Sequence, residues 1–458
     1  MKRLVIIWAL AGTFTAFAQG GAIETAPAAF SLQQAIDYAM QNQRDVKNAL
    51  LDEQIAKQKV KEIAGAGLPH INSSLDLIGF NMLPTQVIYG SPGSLFGGVD
   101  TLGLPPMYIP FQMGTTYKMT GSLEGSQLIF NGEYFLGLKA SKVFVELSTK
   151  ATARTKIEVT SAVTKAYYTV LINEERAKLL DANISRLRKT LDETKAFFEN
   201  GLVEKLDYDR LTVTYNNLLV EQEKVNRMLG LGIYLLKFQI GLDQKANLTL
   251  TDKLESLKFE ATQLTPTEQF DYSKRVEYGL FDTQLHLAQL DVKRNKVSFL
   301  PTIAGYGNAS TAAMRQKMDF FDRKTPWYYS GFFGAKMTLP IFSGFERNAK
   351  YQQAHLKLQQ AENNMTFIKQ SIDLELVSAS ATLQNATAAY AIQKKNIEIA
   401  EEVVRVSKIK YDKGVGSNLE LVTAETALKE AQTNYFSALY DALVAKIDYE
   451  RANGNIIK

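Results

Sequence analysis

His70, His286 and His355 are the chain's three histidines, and a histidine serves as base or metal ligand only beside a carboxylate, a serine or another imidazole at defined spacing. None of them has such a neighbour: His70 falls in a strand-like stretch and the other two in helical ones. The adjacent acids Glu174-Glu175 and Glu401-Glu402 read as solvated helix faces rather than as a general acid and base. The glycines from Gly93 to Gly103 are not followed by a helix, so they do not read as a phosphate-cradling loop. With no cysteine, thiolate nucleophiles, thiolate metal sites and disulfides are excluded together. No catalytic residue, cofactor site or metal site is expected, and no enzymatic activity.

The elements that would carry any other function begin with an export signal. Met1-Lys2-Arg3 is a basic start, Leu4 to Leu10 is apolar, and Ala16-Phe17-Ala18 precedes Gln19. The apolar run is too short to span a bilayer, and Gln19 in place of a cysteine provides no lipidation site. A buried N-terminal helix would need neither the basic start nor the Ala-x-Ala ending. Removing residues 1–18 takes away Lys2 and Arg3, leaving 50 basic against 48 acidic residues, a balance that points away from nucleic acid. No later stretch has the apolar length of a transmembrane helix, so a membrane crossing would have to be made by strands closed into a barrel.

The chain repeats itself. Leu68-Pro69 returns as Leu300-Pro301, Phe130-Asn131-Gly132 as Phe342-Ser343-Gly344, Asn200-Gly201-Leu202 as Lys413-Gly414-Val415, and Gly241 as Gly454. Each copy runs amphipathic helix, strands with a loop, long helix, glycine turn, second long helix. The spacing between copies shrinks because the first has a longer Gly- and Pro-rich loop, from Leu83 to Pro110. The leading helices are expected at Ser31 to Gly65 and Thr267 to Ser298, with Asp45 matching Glu277. The expected boundaries are 1–18 for the signal peptide, 19–241 for the first repeat, 242–266 for a connecting region and 267–458 for the second repeat. Strand pairs are placed at about 69–130 and 301–342, and hairpin tips near 201 and 414.

Between Gly132 and Gly201 there is one glycine and no proline, and between Gly344 and Gly414 there is neither. Each reads as one helix roughly 100 Å long, a coiled-coil dimension. Leu180, Ile184, Leu187, Leu191, Thr194 and Phe198 step by four and three along a seam, and Ile397, Ala400, Val404, Ser407 and Tyr411 repeat it. The return helices are expected from Leu202 to about Gln239 and from Ser417 to about Ala452. A single seam is equally well an ordinary core stripe; two at matched positions favour paired long helices.

Period-two alternation marks the strands. His70, Asn72, Ser74 and Asp76 alternate with Ile71, Leu75 and Leu77, and Thr116, Lys118, Thr120, Ser122 and Glu124 alternate with Tyr117, Met119 and Leu123. Trp327, Tyr329, Phe333, Ala335 and Met337 alternate with Ser330, Lys336 and Thr338, although Tyr328 and Phe332 break the polar set. The strand after Pro301 alternates poorly, with Tyr306 on its wet face. A half-buried strand of a soluble sandwich alternates in the same way; the signal peptide favours an outer-membrane strand, with Trp327 and Tyr329 in an interfacial girdle. Four such strands cannot close a channel alone and must borrow others from further copies.

In this order and in duplicate, Leu-Pro opening a strand, Phe130-Asn131-Gly132 and Leu339-Pro340-Ile341-Phe342-Ser343-Gly344 closing a strand pair, and the tip turns at Gly201 and Gly414 resemble the TolC family of outer-membrane factors across nearly the whole mature chain. Leu128 departs from the family's closing motif, whose proline is kept as Pro340. The resemblance implies an α+β membrane protein in which long helical hairpins form an α-barrel, a periplasmic tunnel. Four transmembrane β-strands per protomer would complete a trimeric twelve-stranded β-barrel in outer-membrane lipid. It implies a passive duct of a tripartite efflux or type I secretion system. Its partners would be a periplasmic adaptor and an inner-membrane pump of RND, ABC or MFS type. An exported coiled-coil structural or adhesive protein without a pore is the alternative.

The resemblance also assigns residues. The pore constriction falls on Glu420, with Thr423 where the family has a second acid. One ring of three carboxylates would remain and attract cations. An acid early in a helix is favourable on electrostatic grounds alone. The gating contacts fall on Asp207 and Tyr411, with Gly416 in place of the family's arginine. Asn200, Gly201, Leu202, Lys413, Gly414 and Val415 would dock the adaptor.

Overall fold

The computed structural model describes residues 29–90, 105, 107–254, 270–322 and 324–455. The expected signal peptide, the Gly93 to Gly103 cluster and residues 255–266 of the connecting stretch lie outside the described residues. In chain order the elements are β1 (Ala29–Phe30), α1 (Leu32–Asn42), α2 (Arg44–Gly65), β2 (His70–Gly79), β3 (Thr85–Gly90), β4 (Met107–Gln112), β5 (Tyr117–Phe130), α3 (Gly132–Glu199), α4 (Lys205–Ile240), β6 (Thr249–Leu250), α5 (Val276–Val297), β7 (Thr302–Arg315), β8 (Tyr328–Thr338), α6 (Glu346–Asp412) and α7 (Asn418–Ala452). A 3-10 turn, Tyr272–Lys274, precedes α5. No described helix is long and apolar enough to cross a membrane. Among the described residues the chain divides into two compact units, one within residues 48–154 and 270–375, the other within 29–47, 155–254 and 376–455.

In the first unit, β2, β5, β7 and β8 form one antiparallel sheet in that order. Its register decides which side chains share a face. His70 pairs with Ser126, Ser126 with Tyr306 and Tyr306 with Gly334; two residues on, Asn72 pairs with Glu124 and Glu124 with Asn308. Because alternate residues share a face, this register gathers Asn72, Ser74, Asp76, Thr120, Ser122 and Ser310 on one side. Ile71, Leu75, Leu123, Ala309, Tyr329 and Phe333 gather on the other. Ser74 and Ser122 hydroxyls meet 2.7 Å apart on the polar side.

Tyr306, the misfit of the period-two pattern, is on the polar side with a reason. Its ring packs edge-on against Phe332, centroids 6.2 Å apart, over the bare backbone of Gly334. Tyr306 thus covers a glycine, with Phe332 packed beside it. The Leu128 departure also has a visible effect. β8 stops at Thr338, ahead of Pro340, which has no N–H to donate, whereas β5 continues through Leu128 to Phe130 with a register shift between those two residues.

Two expectations change. The Leu83 to Pro110 stretch is not all loop: β3 and β4 pair antiparallel, with Ile88 opposite Ile109 and the Tyr89 and Tyr108 rings 5.0 Å apart. Cross-strand aromatic and β-branched pairs stabilise this hairpin, and Pro110 is tolerated in a strand with only one partner. Nor is Ser31 to Gly65 one helix. Gln43 is extended, and its side-chain Oε1 accepts from the Asp45 and Val46 amides, so it ends α1 and caps α2. At the other end of α1, Ser31 and Gln34 form a reciprocal capping box.

The second unit has its core where α1, α3 and α4 meet: Phe30, Ala39, Tyr167, Leu171, Leu236 and Ile240 are buried together. Thr249–Leu250 pairs in parallel with Ala29–Phe30. Tyr167 Oη lies 3.1 Å from the Phe30 carbonyl and 2.9 Å from Asp252 Oδ2, which also accepts from Leu32 N. Burial first, then the neighbouring Asp252 carboxylate, push the Tyr167 hydroxyl pKa well up. Away from this core, Leu180, Leu187, Leu211, Leu218 and Val225 pack α3 on α4, and Val404, Ala424 and Leu428 pack α6 on α7.

Candidate functional site

The hairpin tips are built twice in the same way. Gly201 and Gly414 take left-handed φ of 71° and 72°. In the first tip the Gly201 and Leu202 amides donate back to Phe198 and Phe197; in the second, Gly414 and Val415 donate to Tyr411 and Lys410. This closing motif satisfies the last carbonyls of each long helix and reverses the chain in a few residues. It leaves Leu202 and Val415 strongly exposed at matched positions, and Asn200 Nδ2 bonded to the Ala196 carbonyl at 2.7 Å. Lys413 is exposed beside Gly414.

Between the tips lies a cavity of about 420 Å³ whose lining includes Asp207, Arg210, Tyr411, Gly416 and Asn418. Asp207 and Tyr411, the expected gating contacts, share this cavity, and within this chain each has another partner. The Asp207 carboxylate lies 3.7 Å from Arg210 Nη1, and Tyr411 Oη is 2.9 Å from Thr194 Oγ1. The reason is the seam: Thr194 and Tyr411 both hold seam positions, so packing α3 against α6 brings their hydroxyls together. The tips are instead joined by Asn418, 4% exposed, whose Nδ2 donates to the Asp207 carbonyl at 3.0 Å. Asn418 Oδ1 has no hydrogen-bond partner among the described residues.

Glu420 is not a free carboxylate. Its Oε1 lies 3.2 Å from Lys410 Nζ, and its amide donates to the N-cap hydroxyl of Ser417. Thr423 is exposed, with its hydroxyl donating to the Leu419 carbonyl. Gly416 donates its amide to the Lys410 carbonyl. Neither Lys410 nor Thr194 was singled out as a gate residue from sequence; Thr194's polarity at a seam position was the available signal. Nearby, Lys408 bridges Glu193 and Asp412 at 2.9 and 2.7 Å. Burial works against its charge, but the two carboxylates outweigh it and raise its pKa.

On the sheet, Tyr329 is 86% exposed, and Trp327 is half-buried just before β8 begins at Tyr328. Tyr117 starts β5 at the same end, opposite Gly79 and Arg315. At the other end Phe130, Tyr134 and Phe135 form one aromatic group and Phe342 and Phe345 another, with centroid separations of 5.4–6.1 Å. Tyr117 to Phe130 spans about 40 Å along the strand.

A family model described as outer membrane efflux protein matches residues 282–455. Nodulation protein T of Rhizobium leguminosarum bv. trifolii is 21% identical over 340 residues, covering 72% of this chain and 70% of that protein. Outer membrane protein TolC of Vibrio cholerae is 19% identical over 349 residues, covering 74% and 77%. The open-state structure of the MtrE outer membrane channel of Neisseria gonorrhoeae superposes with a TM-score of 0.72 at 19% identity, covering 93% of this chain and 89% of that one. Residues 282–455 thus match the outer membrane efflux protein family, and in its doubled hairpins and two-faced sheet the chain is similar to TolC and to outer membrane channels of that fold.

Proposed function

We propose that this chain is one protomer of a passive outer-membrane export duct of a tripartite efflux or type I secretion system. A periplasmic adaptor connects it to an inner-membrane pump of RND, ABC or MFS type, which supplies the energy. Three copies place four strands each into a twelve-stranded barrel, and their helical hairpins form the periplasmic tunnel. The observation that carries this reading is the sheet register, which sorts most polar and apolar side chains onto opposite faces, with the aromatics Tyr306, Tyr328 and Phe332 as exceptions on the polar side. Neither face of β2 or β8 is covered within the protomer. Lipid on one side and water on the other, around a closed barrel, would suit both faces of such a sheet.

Other observations support the same reading. Aromatic side chains at both ends of the sheet suit the two interfaces of a membrane, with Trp327 and Tyr329 in one girdle and Phe342 in the other. The exposed pair Leu202 and Val415 suits docking of the adaptor at Asn200 to Leu202 and Lys413 to Val415. Glu420 and Thr423 line the constriction, and Asp207, Tyr411 and Gly416 belong to its gate. The mature protein, purified and added to planar bilayers, is expected to open ion-conducting pores. Crosslinkers at Leu202 and Val415 are expected to capture the adaptor. A trimer that never conducts, or recovery from the soluble periplasm, would favour a coiled-coil scaffold instead.

A further inference from the structure

We infer that the tip constriction is electroneutral: Lys410 cancels the Glu420 carboxylate of the same chain, so the aperture does not select by charge sign. This rests on the placement of Glu420 at the constriction proposed above. A ring of lone carboxylates attracts cations; a ring of close ion pairs presents dipoles, whose field falls off much faster than that of a free charge and is screened within about 8 Å at physiological ionic strength.

The pairing follows from the turn. Lys410 is in the last helical turn of α6 and Glu420 in the first turn of α7. The Val415 and Gly416 amides both donate to the Lys410 carbonyl, at 3.0 and 3.1 Å. This folds the entry to α7 back onto Lys410 so tightly that a Cβ at position 416 would lie 2.8 Å from the Lys410 Cβ. Glycine at 416 is therefore what lets the lysine stem pass the turn and reach Glu420. Ser417 holds the other partner in place by accepting from the Glu420 amide at 3.1 Å. The pair itself is half exposed, and such pairs add little to stability. Cancelling a field requires only proximity.

The surrounding charges leave Lys410 to this task. Lys408 is engaged with Glu193 and Asp412, Arg186 with Glu425, and Arg210 with Asp207. Lys413, exposed at the turn, adds a further positive charge. The first tip is built differently: Phe197 holds the repeat position of Lys410, its carbonyl accepting from the Leu202 amide, and Asp207 is met by Arg210 of its own helix. Cancellation from across the turn, by the last turn of the preceding helix, is thus particular to the second repeat.

The test uses the mature full-length protein in planar bilayers, reading reversal potential in a potassium chloride gradient and block by the trivalent cation lanthanum. The native pore is expected to show little ion preference. Lys410→Gln is expected to become cation-selective and to be half-blocked at about tenfold lower lanthanum, equivalent to ~1.4 kcal/mol of added attraction. Glu420→Gln is expected to shift toward anions, and the double variant to return to native selectivity. If Glu420→Gln shifts selectivity but Lys410→Gln does not, Lys410 does not cancel the acid and the inference fails while the constriction stands. If conducting pores are unmoved by either substitution, Glu420 is not at the constriction and both readings fail.

Discussion

Arg186 on α3 forks onto Glu425 on α7, Nε 3.2 Å from Oε1 and Nη2 3.0 Å from Oε2, and Glu425 is only 8% exposed. One turn away along α3, buried Asn183 donates to Gln432 Oε1 at 2.7 Å. These polar contacts tie the first hairpin to the second, between the apolar contacts that Val422 and Phe436 of α7 make with the first. Removing the arginine strands a buried carboxylate, which costs more than the pair contributes. Arg186→Ala is expected to lose about 1–3 kcal/mol, and Glu425→Gln less, since the amide can still accept from Arg186. Denaturant unfolding of the purified protein reads both; equal midpoints for native and Arg186→Ala would show that the pair is idle.

Acid should loosen the unit that holds the sheet. Arg275, 4% exposed, bonds Glu277 at 3.0 Å and Glu375 at 2.6 Å. Burial alone would raise the Glu277 pKa, but the hydrogen bond and charge of Arg275, helped by Arg154, hold it below the usual 4.5. A depressed carboxylate stabilises the fold fully above its unfolded pKa and loses that contribution as pH falls through the folded value. Melting temperature should therefore be flat from pH 7 down to about 5 and fall below 4.5. Glu277→Gln should melt lower at pH 7 and show a shallower acid decline. A parallel decline in both proteins would assign the acid sensitivity to other groups.

The Tyr411 and Thr194 hydroxyls are 2.9 Å apart. Tyr411→Phe and Thr194→Val each remove a hydrogen bond of about 1 kcal/mol between α3 and α6. If this bond helps to hold the proposed gate shut, each variant should raise resting single-channel conductance, and the double variant should do no more than either alone. Additive effects, or an effect of Tyr411→Phe only, would place the closing partner elsewhere.

Two glycines with the same backbone sign should respond differently to alanine. Gly241 ends α4 at φ 74°, and a Cβ there would lie 2.8 Å from the Asn42 carbonyl oxygen. Gly414 has φ 72° and nothing within 4 Å of that point. Gly414→Ala carries the left-handed backbone penalty of about 1 kcal/mol, whereas Gly241→Ala also drives α1 and α4 apart. Thermal melts should rank Gly241→Ala well below Gly414→Ala.

The sheet and the long helices were legible because their signals are local. Absence of proline over Glu346–Asp412 and alternation from His70 onward act on each residue's own backbone. The β3–β4 hairpin was hidden by the glycines and prolines around it, and the break at Gln43 by a glutamine that any helix accepts. Tyr306 read as a flaw because its partner Phe332 is on another strand.

The amino-acid sequence by itself determined the doubled plan, the reversal at Gly201 and Gly414, and a sheet with two unlike faces, since period and turn chemistry depend on neighbours a few residues away. Only the tertiary structure decided which charges and hydroxyls meet: Glu420 with Lys410, Asp207 with Arg210, Tyr411 with Thr194. Ion-pair and hydrogen-bond partners depend on distances of a few ångströms between side chains, and in this fold those distances are set by how the four long helices pack and how Gly416 lets one turn close.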